Sequence, residues 1–84
     1  MPEVEVGKVA DFFARPVVAG IELTAALKVG DTIKIVGHTT DLEMVVESMQ
    51  IDNVNVQRAS KGHSIGIKVP GRVRHGDKVF KVVP

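Results

Sequence analysis

The residues of this chain with the means for acid–base or metal chemistry are its histidines, its serines and a scatter of carboxylates. His38, His63 and His75 each sit beside a glycine, in Gly37-His38, Gly62-His63 and His75-Gly76. Nucleophilic catalysis needs a hydroxyl whose proton an imidazole takes while a carboxylate holds the imidazole in place. Nothing in the order of residues puts Ser48, Ser60 or Ser64 under such control. Histidines next to glycine are ordinary solvated turn residues, and Ser48, inside Val46-Glu47-Ser48-Met49-Gln50, reads as a strand residue completing a local hydrogen bond. Two histidines with Asp31, Asp41 or Asp77 would make a metal site only if loops at one end of the fold converged, and no short ligand spacing is present. The expectation is a chain that is not an enzyme, with no catalytic residue, no metal and no cofactor.

Charge is the second source of chemistry. The formal net charge of +1 conceals an asymmetry: residues 1–56 hold four of the eleven Lys and Arg but nine of the ten Asp and Glu. The remaining third is strongly basic, densest at Arg72-Val73-Arg74-His75. Such a stretch can meet phosphates by long-range attraction and direct contact. Lys61, Lys68, Arg72, Arg74 and Lys78 are accordingly the candidate nucleic-acid-binding residues. The alternative is a solvated surface neutralised by Glu22, Glu43 or Glu47.

Phe12-Phe13 is the remaining candidate, for binding a partner. Adjacent side chains on a pleated strand point to opposite faces, so one ring must face outward, where it covers an end of the fold, stacks on a base or meets a partner. Met44 and Met49 read as gap fillers in a core short of aromatics.

These residues must be positioned by strands. Valine is the commonest residue, and Trp, Tyr and Cys do not occur, which suits pleated surfaces and provides neither a disulfide framework nor a thiolate metal site. Val4 and Val6 alternate with Glu3 and Glu5, and the phase slips at Gly7, a natural bulge. Arg15-Pro16 breaks the pattern, after which Val17, Ala19, Ile21 and Leu23 share a face. Ile33 and Ile35 point inward on a third strand ending at Gly37. Residues 42–51 read as one long fourth strand, apolar on both faces, bending to serve both halves of a barrel. Asp52-Asn53 breaks it, and 54–59 reads as an extended connection. Ile65, Ile67 and Val69 make a fifth strand and 79–83 a sixth. Residues 23–29 are the best helical stretch, enough for one or two turns. The interior is expected to hold Val17, Ile21, Ile33, Ile35, Ile65, Ile67 and Val79.

One phrase recurs. Val29-Gly30-Asp31-Thr32-Ile33-Lys34-Ile35-Val36 returns shortened as His75-Gly76-Asp77-Lys78-Val79-Phe80-Lys81-Val82, with a third launch at Lys61-Gly62-His63-Ser64-Ile65-Gly66-Ile67. Gly30, Gly62 and Gly76 are expected at positive φ, or in turns too tight for a side chain, immediately before strands.

Gly7-Lys8-Val9, Leu27-Lys28-Val29-Gly30-Asp31-Thr32-Ile33-Lys34-Ile35, Val46-Glu47-Ser48-Met49-Gln50, Ala59-Ser60-Lys61-Gly62 with Ile65-Gly66-Ile67, and Gly76-Asp77-Lys78-Val79 follow in an order that resembles the second domain of translational GTPases such as elongation factor Tu. The similarity covers nearly the whole chain. It implies an all-β fold, a small closed antiparallel β-barrel of six to seven strands, formed by residues 1–84 as a single domain. It also implies a binding module that docks on ribosomal RNA, tRNA or a ribonucleoprotein. No Gly-rich loop followed by Lys and Ser or Thr occurs, so GTP binding by this chain is not expected. The rival reading is a protein-interaction or accessory barrel module serving a separately encoded enzyme. A charge map separates the two: cations gathered on one face favour RNA, whereas cations interleaved with Glu22, Glu43 and Glu47 favour a protein partner. Without an apolar run of membrane length or a cationic leader, the expected location is the cytoplasm, with no membrane contact.

Overall fold

Alternating β-branched and polar residues produce strands along most of the chain. The computed structural model describes residues 3–14 and 17–83. Its strands are β1 (Glu3–Ala14), β2 (Val17–Leu23), β3 (Leu27–Lys28), β4 (Thr32–Val36), β5 (Asp41–Val45), β6 (Met49–Ile51), β7 (Val54–Val56), β8 (Arg58–Ala59), β9 (Ser64–Lys68) and β10 (Lys78–Val82). Every pairing is antiparallel. One sheet runs β5-β4-β10-β1-β2-β9-β6-β7, and β3 pairs with β8 as a separate ribbon.

The fold is all-β, but the expected closed barrel is not found. Among the described residues the large sheet begins at β5 and ends at β7, with no ladder joining those edges. The cause lies in the expected fourth strand, which is two strands. The chain leaves extended pairing at 46–48. Before the break β5 pairs with β4, and after it β6 pairs with β7 and β9 at the other end of the strand order. Val46, at the break, is fully buried. The expected connection at 54–59 contains β7 and β8. Asp52 and Asn53 both have positive φ, 51° and 65°, as a two-residue type I′ hairpin turn requires. The expected helical turns at 23–29 are absent; Leu27 is instead a buried residue of β3.

The core forms where alternation puts it. Ile21, Ile33, Ile35, Ile65, Ile67 and Val79 are buried together with Val6, Val9, Leu23, Leu27, Met49 and Val73. Val17 departs from the expected interior and is 38% exposed, because it pairs with Ala14 at the end of the β1–β2 ladder. Arg15 and Pro16, where the sequence breaks between those strands, lie outside the described residues. The register of β1 against β10 shifts between Glu5 and Gly7, the bulge expected at Gly7. A Cβ there would lie 2.6 Å from the Glu22 carbonyl oxygen, so this bend admits only glycine without rearrangement.

On the solvent face, Glu5, Phe80, Lys34 and Glu43 lie in line across β1, β10, β4 and β5. Lys34 Nζ meets Glu3 Oε2 at 2.8 Å, and hydrogen bonding to that carboxylate, with its charge, raises the Lys34 pKa above its ordinary value. Among the described residues no helix is long and apolar enough to cross a membrane.

Candidate functional site

The recurring phrase in the sequence is one structural device used three times. In the turns at 28–31, 60–63 and 74–77, the glycine in third position has φ of +99°, +93° and +93° respectively. The backbone N–H of the fourth residue donates to the carbonyl of the first, from Asp31 to Lys28, His63 to Ser60 and Asp77 to Arg74. These are the features of a type II turn. The side chain of the fourth residue then accepts the N–H of the first: Asp31 Oδ2 from Lys28 at 3.0 Å, His63 Nδ1 from Ser60 at 3.1 Å and Asp77 Oδ2 from Arg74 at 2.8 Å.

Each turn also brackets one buried apolar residue. Gly30 N–H donates to the Val46 carbonyl while Val46 N–H donates to the Asp31 carbonyl. The same reciprocal pair links Gly62 and His63 to Leu23, and Gly76 and Asp77 to Val9. Val46, Leu23 and Val9 are all core residues. The phrase is therefore a clip that pins a turn onto the core.

Two of these clips frame a hollow of about 500 Å³. Its floor is apolar, with buried Leu27 and Ala59 paired across β3 and β8. Lys28, Arg58 and Lys81 bring three cations to its walls, and Asp31, Ser60 and His63 complete its polar lining. Serine, histidine and aspartate thus share one hollow, the combination that hydrolysis would use. Their bonding excludes that use. His63 Nδ1 accepts the Ser60 backbone N–H, so the neutral ring carries its proton on Nε2 and has no lone pair left to take a proton from a hydroxyl. Asp31 is bound to Lys28 N–H rather than to the imidazole. The trio closes turns.

The other histidines are exposed and separate: His38 lies between β4 and β5, and His75 in the 74–77 turn. Among the described residues no group of three or more His, Asp or Glu is placed to hold a metal ion.

The five candidate cations are dispersed. Arg72 and Arg74 border a shallow hollow of about 620 Å³ with Phe12 and His75. Lys68 lines a different hollow with Glu47 and Ser48. Lys78 stands opposite Lys8 on β1, which is opposite Glu22 on β2, and Lys61 is exposed in the 60–63 turn. Lys68 and Lys78 thus lie among carboxylates, the pattern associated above with a protein partner, whereas the hollow of Arg72 and Arg74 is lined by none. Phe12 is half-buried against the core, whereas Phe13 is 56% exposed. Phe12 and the Arg72–Arg74 loop, separate features in the sequence, meet at one surface. Lys28, Arg58 and Lys81 were not among the sequence candidates. No local signal finds them, because Lys28 and Arg58 become neighbours only through the β3–β8 register.

No family model matches this chain. It is 47% identical over 79 residues, 93% of its length, to an uncharacterised protease of Methanocaldococcus jannaschii, and 36% identical over 81 residues to a collagenase of Porphyromonas gingivalis. Those alignments cover 19% and 20% of the relatives; the chain spans about a fifth of the curated proteins it matches. Among solved structures it superposes on the C-terminal domain of a candidate U32 peptidase of Geobacillus thermoleovorans with a TM-score of 0.88 and 14% identity, covering 95% of this chain and 93% of that one. A likeness at that identity shows the fold.

These findings overturn the translation-factor resemblance, and with it docking on ribosomal RNA or tRNA. The similar sequences are an uncharacterised protease and collagenases, and the matching fold is the C-terminal domain of a candidate U32 peptidase. The phrases that carried the resemblance are mostly turn chemistry: a Gly followed by a side-chain acceptor before a strand recurs wherever a type II turn starts one.

Proposed function

We propose that this chain is an accessory, protein-binding β domain of a U32-type peptidase, acting by docking rather than by catalysis. The observation that carries the reading is the alignment of nearly the whole chain with about a fifth of a protease, which leaves most of that protein to supply chemistry. The fold shared with the C-terminal domain of a candidate U32 peptidase supports it, as does the use of His63 Nδ1 as a turn acceptor.

The docking surface is the corner carrying Phe12, Phe13, Arg72 and Arg74. Phe12 shares a hollow with Arg72 and Arg74, and Phe13, the next residue of β1, is exposed; aromatic and arginine side chains are the ones that supply most of the binding energy at interfaces. The partner is the peptidase portion of such a protein, in the same chain or a separate one. The test removes the matching fifth from the Methanocaldococcus protease and titrates the remainder with this chain by calorimetry. Saturable binding is expected, weakened at least tenfold by Phe13→Ser combined with Arg72→Gln and Arg74→Gln. Absence of binding, or binding indifferent to those substitutions, overturns the reading.

A further inference from the structure

The hollow between the 28–31 and 60–63 turns holds two arrangements that the fold does not require. Lys28 and Arg58 are directly opposite each other across the β3–β8 ribbon, a placement that is destabilising for like charges. Lys81 lies on the β10 row whose partners are Val4 on β1 and Ile33 on β4, with Met44 beyond Ile33 on β5, so it is the one cation in an otherwise apolar line. Inward charges guard exposed sheet edges, but β10 is a central strand, paired on both sides. Among the described residues none of the three cations is within salt-bridge distance of a carboxylate; the ion pair present is Lys34 with Glu3. Local violations of stability rules that converge on one concavity mark a site that binds something.

We propose that this hollow binds the C-terminal end of a peptide. Three cations around one cavity call for an anion, and the buried Leu27–Ala59 floor calls for an apolar group attached to it. Asp31 selects further. A phosphate would place its charge against the Asp31 carboxylate, whereas a peptide end presents an N–H next to its carboxylate. Asp31 accepts the Lys28 N–H through Oδ2, and a carboxylate has lone pairs for a further donor. Carboxylate to Lys28, Arg58 and Lys81, last peptide N–H to Asp31, and a small apolar side chain on Leu27 and Ala59 together use all the charged groups of the hollow and its apolar floor. A volume of about 500 Å³ falls within the usual range for small-ligand sites. The ligand class rests on the peptidase reading only in that free peptide C-termini are what a peptidase releases; the hollow shares no lining residue with that of Phe12, Arg72 and Arg74, so each fails on its own.

The experiment titrates this chain with a fluorescent peptide ending in alanine, as free acid and as C-terminal amide, with amide chemical shifts recorded in parallel. Saturable binding of the acid is expected, at least tenfold tighter than the amide and weakened by salt. Shift changes should centre on Ala26, Ala59 and Ser60. Arg58→Gln and Lys81→Gln should each weaken binding severalfold, while Lys78→Gln, outside the hollow, should not. Equal binding of acid and amide, no binding at millimolar peptide, or displacement of the peptide by inorganic phosphate at matched ionic strength overturns the proposal.

Discussion

Asp77 fills the space that a side chain at Gly37 would need: a Cβ built on Gly37 falls onto the Asp77 carboxyl group. The carboxylate cannot simply turn away, because its Oδ2 accepts the Arg74 N–H at 2.8 Å and the residue is only 6% exposed. A glycine at the end of β4 is thus selected by a turn closing next to β10. Gly37→Ala should lower stability by about 1–3 kcal/mol, the usual penalty for overpacking. In an Asp77→Ala background the same substitution should cost much less, since contacting sites do not add. Urea unfolding of the two single variants and the double variant checks this; equal effects of Gly37→Ala in both backgrounds would locate the strain elsewhere.

A Cβ added to any of the three clip glycines meets nothing within 4 Å, so replacing them tests backbone conformation alone. Gly30→Ala, Gly62→Ala and Gly76→Ala should each cost roughly 1–2 kcal/mol, the penalty of the left-handed region for a residue with a Cβ. Gly71→Ala is the control: it too has open space and lacks a positive φ, and should move the unfolding midpoint little. Melting temperatures that are the same for all four variants would contradict the turn assignment.

These turns also show what sequence can and cannot disclose. Gly30, Gly62 and Gly76 were legible because positive φ before a strand is a local requirement that glycine alone meets cheaply. The buried rows of β2, β4, β9 and β10 were legible because a period of two puts one face inward. The break at 46–48 was not, because apolar residues on both faces of 42–51 satisfy one bent strand as well as two short strands. Its cause is a distant pairing, Val46 with Gly30 and Asp31. The candidate site was hidden for the same reason: Lys28 and Arg58 become neighbours only through the β3–β8 register. Phe12 and Phe13 were separable by pleating alone, while the meeting of Phe12 with Arg72 and Arg74 required the fold.

His63 occupies the position that aspartate holds in the two sister turns, and its acceptor atom does the same task. His63→Asp should therefore preserve the 60–63 turn and leave stability near that of the parent. His63→Ala removes the acceptor and should cost about 0.5–1.5 kcal/mol, the net worth of one hydrogen bond. Denaturant midpoints of the two variants decide; an aspartate variant as unstable as the alanine variant would mean that the ring contributes by packing instead.

Ile35 and Ile67 lie in the interior on strands at different places in the large sheet, 0% and 2% exposed. Truncating either to alanine should cost roughly 2–5 kcal/mol through lost burial and the cavity left behind, a large part of a small domain's stability. Retention of the parent's midpoint by either variant would contradict its core assignment.

The ion pair of Lys34 with Glu3 predicts an alkaline effect whose sign follows from its cause. The Glu3 carboxylate favours the charged ammonium, so the Lys34 pKa in the folded protein lies above its ordinary 10.5. The stabilisation is present in full below that ordinary value and is lost as pH rises through the raised one. Both side chains are about a third exposed, at 35% and 36%, so solvent screening keeps the effect small. Glu3→Gln should be slightly less stable than the parent at neutral pH. The difference should shrink with added salt and close in strongly alkaline solution, where the Lys34 ammonium has lost its proton. Paired urea titrations at neutral and alkaline pH measure it, and a difference that stays constant across the range would assign the contribution of Glu3 to something other than Lys34.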